Sequence, residues 1–194
     1  MANHSNTYFE ILQYARTLII AGGYSAFSYA DIAEYVGVRK ASIHHHFPTK
    51  VDLVQTLVRL YREETEAAIG ALEQHFPEPG DRLQAYIGYW LGCVGDVTKS
   101  YCVCALLATQ IPSLPQEVVL EVRAHFRTLS AWLTSVFERG AQQGSLRLAG
   151  EARAEAEQFM ATVHGAMLSA RAYGDPQVFG SITQPLLDRL AVRP

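Results

Sequence analysis

From Tyr8 onward the apolar residues fall three and four apart. Tyr8, Ile11, Leu12, Ala15, Leu18 and Ile19 line one side of an amphipathic helix that Gly22-Gly23 closes. Ser28-Tyr29-Ala30-Asp31 has the order of a capping box, with Asp in the usual Glu position, and opens a short helix ending near Tyr35. Gly37 supplies a turn, a second short helix runs from Arg39 to His46, and Pro48-Thr49 stops it. Thr49 with Asp52 caps a long helix reaching about His75. After the break at Pro77-Glu-Pro-Gly80, helical periodicity resumes over 81–95, 101–110, 115–141, 150–173 and 176–192. No strand-like alternation, internal repeat or low-complexity tract interrupts it. The pattern predicts an all-α chain of about nine helices.

Composition narrows the class. The chain has 194 residues, 49% of them hydrophobic, enough for a real core, and its mean hydropathy is near zero. No apolar run is long enough to span a bilayer, and the first residues lack the basic and apolar regions of a signal peptide. Three closely placed cysteines (Cys93, Cys102 and Cys104) are an odd number, which argues against a disulfide scaffold and for a reducing cytoplasm. The net charge of −3 exerts no general pull on nucleic acid. Yet in the first fifty residues Arg16, Arg39, Lys40 and Lys50 face Glu10, Asp31 and Glu34, a net +1 that leaves −4 for the rest. The anion-attracting end is N-terminal.

That end contains His44-His45-His46, which suggests a metal tract, a tag remnant or a reading surface. A tag is normally terminal. On a helix consecutive side chains point ~100° apart, so adjacent imidazoles do not converge on one ion. No metal site and no cofactor are expected. Two short helices around Gly37 instead read as a helix-turn-helix. Ala33 is small where the helices cross, while Ile43, ten residues later, faces inward with Ile32, Val36 and Phe47. The competing interpretation is a helical hairpin with solvated charges and no DNA role.

From Ile11 to Tyr61, with GGYSAFSYADIAEYVGVRKASIHHHFPTKVDL at its centre, the chain resembles the DNA-binding domain of TetR-family transcriptional regulators. The resemblance covers roughly the first quarter by motif and the remainder by helix pattern. It implies a helix-turn-helix domain over 1–50, an effector-binding and dimerisation domain over 51–194, and a homodimer on double-stranded operator DNA. The second helix of the motif would enter the major groove. Arg39 and Lys40 sit in its first turn, where Arg can grip guanine bidentately for ~1–3 kcal/mol of discrimination. Ala41 allows close approach, Ser42 can reach a base edge or phosphate, and His44 and His45 lie at the outer end. Ser28 and Lys50 are placed to hold phosphates. The family usually has Tyr at position 44 and Ser or Thr at 39; His44 can add a charge, and Arg39 removes a helix cap.

The rest carries the effector expectation. Tyr61, Tyr86, Tyr89, Trp90, Cys93, Tyr101, Cys102, Leu106, Gln110, Phe126, Trp132, Phe159 and His164 are candidate lining for a mostly apolar or aromatic small molecule, though each is also an ordinary core residue type. Cys102 stands eight residues before Gln110, a spacing similar to that of some electrophile-sensing relatives, which have Gly and an acid where this chain has Tyr101 and Gln110. Thiol sensing by Cys102 is therefore an alternative to ligand control. If 102 and 104 share a helix they diverge by ~200°, which disfavours a disulfide between them. Phe159, Val163, Met167, Ile182, Leu186 and Leu190 form the stripe expected at a two-fold four-helix dimer interface.

Three function classes follow. A ligand-controlled repressor would be released when effector binding separates its reading helices too widely for successive major grooves. A DNA-binding activator or architectural protein would share the motif without a chamber. A helical enzyme or carrier finds no support in any nucleophile elbow, phosphate loop or zinc motif, and no enzymatic activity is expected.

Overall fold

The computed structural model describes residues 2–96 and 101–192. Among them are nine α-helices and no strand beyond one isolated bridge, Leu146 with Ala191. The helices are α1 (Ala2–Gly22), α2 (Tyr29–Val36), α3 (Lys40–His46), α4 (Lys50–His75), α5 (Pro79–Cys93), α6 (Val103–Ala108), α7 (Gln116–Gln142), α8 (Ala152–Tyr173) and α9 (Gln177–Leu190). Short 3-10 turns cover Tyr24–Ala26 and Ile111–Ser113. Two compact units emerge: Met1–Glu63 with Cys102–His125, and Glu64–Tyr101 with Phe126–Pro194. The division falls inside α4 and α7, so α6 belongs with the N-terminal helices.

In the first unit α1 packs on α2 and α6, and α2 on α3. Ile11, Ile19, Ile32, Ile43 and Leu53 are wholly excluded from solvent. Two caps set the helix starts. At α2 the Ser28 N–H donates to Asp31 at 2.6 Å, and the Ala30 N–H donates to Ser28 Oγ at 3.1 Å. At α4 the Thr49 N–H donates to Asp52 at 2.8 Å and the Asp52 N–H returns to Thr49 Oγ1 at 3.2 Å. Gly37 takes a left-handed φ of 73°, and its N–H closes α2 on the Ala33 carbonyl at 3.0 Å.

Two predicted helices differ from expectation. The fifth is shifted two residues toward the N-terminus and begins at Pro79, because a proline lacks the N–H that a first-turn residue could not bond anyway. The sixth shrinks from 101–110 to six residues, because Cys102 is extended (φ −66°, ψ 118°) and the chain turns again after Ala108.

In the second unit α8 packs on α9, and α5 on α9. Phe159, Val163, Met167, Phe179 and Leu190 make its core. This corrects the expected dimer stripe. Phe159, Val163 and Met167 have no exposed surface, Leu186 and Leu190 are buried, and Ile182 is half-buried within the single chain. Their apolar surface is buried within the chain, Phe159 lying against Tyr86 of α5 and Phe137 of α7. The face of α8 left open instead carries Ala161, Gly165, Leu168 and Ala172, with Leu168 55% exposed.

Glu155, a buried carboxylate, ties the loop before α8 to α9. It accepts the Ala149 N–H at 2.8 Å and pairs with Arg189 at 3.0 Å. Burial alone raises its pKa, but the Arg189 and Ala149 hydrogen bonds outweigh burial and hold it below the ordinary 4.5. A folded value below the unfolded one gives a contribution that is complete above the ordinary value and lost as pH falls through the lowered one. Replacing Glu155 with Ala should cost about 2 kcal/mol at neutral pH, and the gap to wild type should close below the ordinary carboxylate range. Thermal unfolding followed across acidic pH checks both statements. Ser28→Ala should cost about 1 kcal/mol, read as a drop in Tm.

Candidate functional site

Ile43 is the only fully buried side chain of α3, and it orients the helix. Positions 41 and 45 lie about 160° from it around the helix, so Ala41 and His45 occupy the middle of the exposed face. Both are exposed, as are Arg39, Lys40 and His44, while Ser42 is half-buried. The structure thus brings Arg39, Lys40, Ala41, Ser42, His44 and His45 onto one rim. Arg39 caps α3 through its backbone alone, with no side-chain hydrogen bond to the helix, which leaves its guanidinium outward.

Three basic or polar candidates have local duties. The Ser28 hydroxyl donates to Asp31 at 2.9 Å while accepting from Ala30, so capping already occupies it. Lys50 donates to the Phe27 carbonyl and lies over the Phe27 and Tyr24 rings at 4.0 and 4.9 Å. Burial lowers its pKa, with Asp31 opposing that shift. One of its three N–H bonds is therefore spent on holding the turn between α1 and α2. His44 Nδ1 lies 3.0 Å from the Pro48 carbonyl. A carbonyl only accepts, so Nδ1 carries the proton, and neutral His44 offers an acceptor at Nε2. Only the imidazolium can donate from that nitrogen to a phosphate. His46 leans on Tyr8 and Phe47, with ring centroids 5.9 and 6.4 Å apart.

The effector candidates separate into two groups. In the second unit Tyr86 sits 5.6 Å from Trp132 and 6.2 Å from Phe159, and Phe137 lies 5.8 Å from Phe159. Phe126 meets His164 edge-on at 5.5 Å. Trp90 and Trp132 are buried, yet their indole N–H groups and His164 Nε2 have no hydrogen-bond partner among the described residues. Buried donors normally find an acceptor, so this aromatic core retains capacity for a polar atom of a bound molecule. Cys93 and Tyr101 are buried as well, with Arg171 lying 5.9 Å over the Tyr101 ring. Tyr89 is corrected: at 58% exposure it points outward beside Trp90.

The first unit holds Tyr61, Cys102, Leu106 and Gln110. Gln110 has a local duty: its Oε1 accepts the Tyr24 N–H at 2.9 Å, and its amide fills the space a Cβ would need at Gly23 (φ 83°). It braces the α1–α2 turn. Leu106 is half-buried. Cys102 is buried 3.7 Å from His125 Nε2, a partner 23 residues on that no sequence pattern announced. Cys102 precedes α6, so the helical divergence from Cys104 does not apply. All three cysteines are free. Among the described residues no group of three or more His, Cys, Asp or Glu is placed to hold a metal, and no helix is long and apolar enough to cross a membrane.

Comparison with known proteins completes the site. Residues 11–57 match the family described as "Bacterial regulatory proteins, tetR family", and 79–186 match "Tetracyclin repressor-like, C-terminal domain". A TetR-family transcriptional regulator from Agrobacterium tumefaciens is 63% identical, with a TM-score of 0.96 over 98% of this chain and 100% of that one. A TetR regulator from Legionella pneumophila is 26% identical, with a TM-score of 0.83 over 93% and 94% of the two chains. The HTH-type transcriptional repressor KstR2 of Mycolicibacterium smegmatis is 23% identical over 71% of this chain and 66% of its own length, just under two thirds of that repressor.

Lys50→Ala should lower stability by about 1–2 kcal/mol, read as a drop in Tm, because a charged hydrogen bond and ring contacts are lost; an unchanged Tm would show that these contacts do not hold the turn.

Proposed function

Since the chain belongs to the TetR family of bacterial transcriptional regulators, we propose that it is a ligand-responsive repressor that binds a palindromic DNA site as a homodimer. The observation that carries this reading is the α3 rim: with Ile43 buried, Arg39, Lys40, Ala41 and His45 are exposed together on a helix short enough to lie in one major groove. Arg39 reads guanine, Lys40 supplies phosphate attraction, and Ala41 approaches a base closely. The open face of α8, with Ala161, Gly165, Leu168 and Ala172, supports pairing of two copies through close helix approach.

The aromatic core of the second unit supports a small effector that is largely apolar or aromatic. Trp90 and Trp132 donate, so the effector carries an acceptor such as a carbonyl or ether oxygen. Its binding favours a dimer whose reading heads no longer match successive grooves, and DNA is released. The free cysteines suit action in a reducing cytoplasm.

The experiment is selection of duplex DNA from a random-sequence pool, followed by binding measured against salt. The selected sites should be palindromic, and affinity should fall steeply as salt rises. Arg39→Ala should lose ~1–3 kcal/mol of discrimination at one position of each half-site, whereas Lys40→Ala should weaken all sequences evenly. Failure to enrich any sequence would refute the repressor reading.

A further inference from the structure

Past the end of α3 two successive carbonyls are each held by an aromatic side chain. The Tyr29 hydroxyl, at the start of α2, donates to the Phe47 carbonyl at 2.9 Å, and His44 Nδ1 lies 3.0 Å from the Pro48 carbonyl. The two rings meet edge to face, with centroids 4.8 Å apart and planes inclined at 63°. Burial, then Asp52 and Tyr24, pushes the Tyr29 hydroxyl well above its ordinary value, so it stays a donor. The His44 imidazole is therefore fixed twice, by a hydrogen bond at one nitrogen and by a neighbouring ring. His45, next along and exposed, makes no such hydrogen bond among the described residues.

That fixing tells the two His44 nitrogens apart. A backbone carbonyl only accepts, so the proton of the neutral ring sits on Nδ1 and Nε2 keeps its lone pair. The side chain is exposed, and Nε2 has no partner among the described residues. One residue on from the inward-facing Ile43, His44 leaves α3 ~100° around the helix, on the flank it shares with Lys40. A helix lying in the major groove turns such a flank toward a groove wall, where a side chain meets phosphate oxygens or base edges. Phosphate oxygens are acceptors and have nothing to give a bare nitrogen. The base edges of the major groove expose two donors, the N6 amine of adenine and the N4 amine of cytosine. An exocyclic amine is thus the complement to a lone pair held in this place.

We propose that His44 is a specificity-determining residue of α3, its Nε2 accepting a hydrogen bond from an exocyclic base amine at one position of each half-site. The inference rests on the reading of α3 as the helix that enters the major groove. It divides the work along the rim. Arg39 donates to the acceptors of guanine, whereas His44 accepts from adenine or cytosine. Each base pair carries one such amine, so the His44 contact discriminates by which strand bears it. Guanine or thymine at that position sets an acceptor against the Nε2 lone pair, so the contact rejects as well as selects. The bonds to the Phe47 and Pro48 carbonyls hold the ring before DNA arrives, which spares the cost of ordering it on binding.

Two measurements test this on the full chain. In protein carrying isotopically labelled histidine, read by nitrogen NMR at about pH 8 where imidazole side chains are neutral, His44 should show a protonated Nδ1 and a bare Nε2. The opposite tautomer would overturn the assignment whether or not the protein selects any duplex. The second measurement uses the duplex enriched from the random pool. Each adenine of a half-site is replaced in turn by purine deoxyriboside, and each cytosine by pyrimidinone deoxyriboside, which removes the amine alone. At one position wild type should lose about fivefold in affinity beyond what His44→Ala loses there, and the base replaced there distinguishes adenine from cytosine. Weakening of the base pair itself is common to both proteins and cancels. If the two proteins respond alike at every position, or His44→Ala weakens all duplexes evenly, His44 reads no base and the inference falls while the repressor reading stands. Protein that enriches no duplex refutes the repressor reading and this use of His44 with it.

Discussion

Everything the reading head can do depends on one buried side chain. Ile43 is excluded from solvent among Ile32 and Phe47, and an α-helix as short as α3 has no second anchor of that kind. With Ile43 turned inward, helix geometry places Ala41 and His45 outward and sets Ser42 and His44 on either flank. The Gly37 turn supplies the angle at which α3 leaves α2, since its φ of 73° is open to glycine at little cost. A polar residue at position 43 would remove both the anchor and the orientation, so the apolar core of this small domain also determines which side chains α3 exposes.

The turn between α1 and α2 shows how few contacts hold that head in place. Lys50 reaches back to the Phe27 carbonyl from the start of α4, and Gln110 reaches the Tyr24 N–H from beyond the end of α6. Both bonds act on backbone groups of a turn whose own backbone bonding amounts to a short 3-10 turn. Such groups require partners when shielded from water. The chain supplies them from two elements distant in sequence, making this turn the point where displacement of α4 or α6 would be felt.

Local features were legible from the sequence. The capping boxes at Ser28 and Thr49 and the turn at Gly37 are decided by side chains within four residues of the groups they satisfy. Long-range assignments were less accessible. The stripe Phe159, Val163 and Met167 is apolar at helical spacing, but periodicity records only that a face is buried and not which surface covers it. Here α9 of the same chain helps to cover it. The bond from the Tyr24 N–H to Gln110 was invisible in the sequence for the same reason, since the two lie 86 residues apart. The N-terminal end of the 101–110 helix failed for a related reason: Cys102 is extended and engaged by His125, and no helical propensity encodes that tertiary contact.

The same distance effect bears on chemistry. Judged as two positions on one helix, Cys102 and Cys104 point apart, and a bond between them is sterically remote. In the structure α6 begins one residue after Cys102, so the angle between two helical positions does not describe this pair. The short α6 thus has two consequences at once. It leaves Cys102 extended, with its sulfur beside His125, and it leaves a compact rod whose far end borders the residue bracing the α1–α2 turn. A longer helix starting at Tyr101 would forfeit the first property, and one continuing through Gln110 would redirect the amide that provides the second.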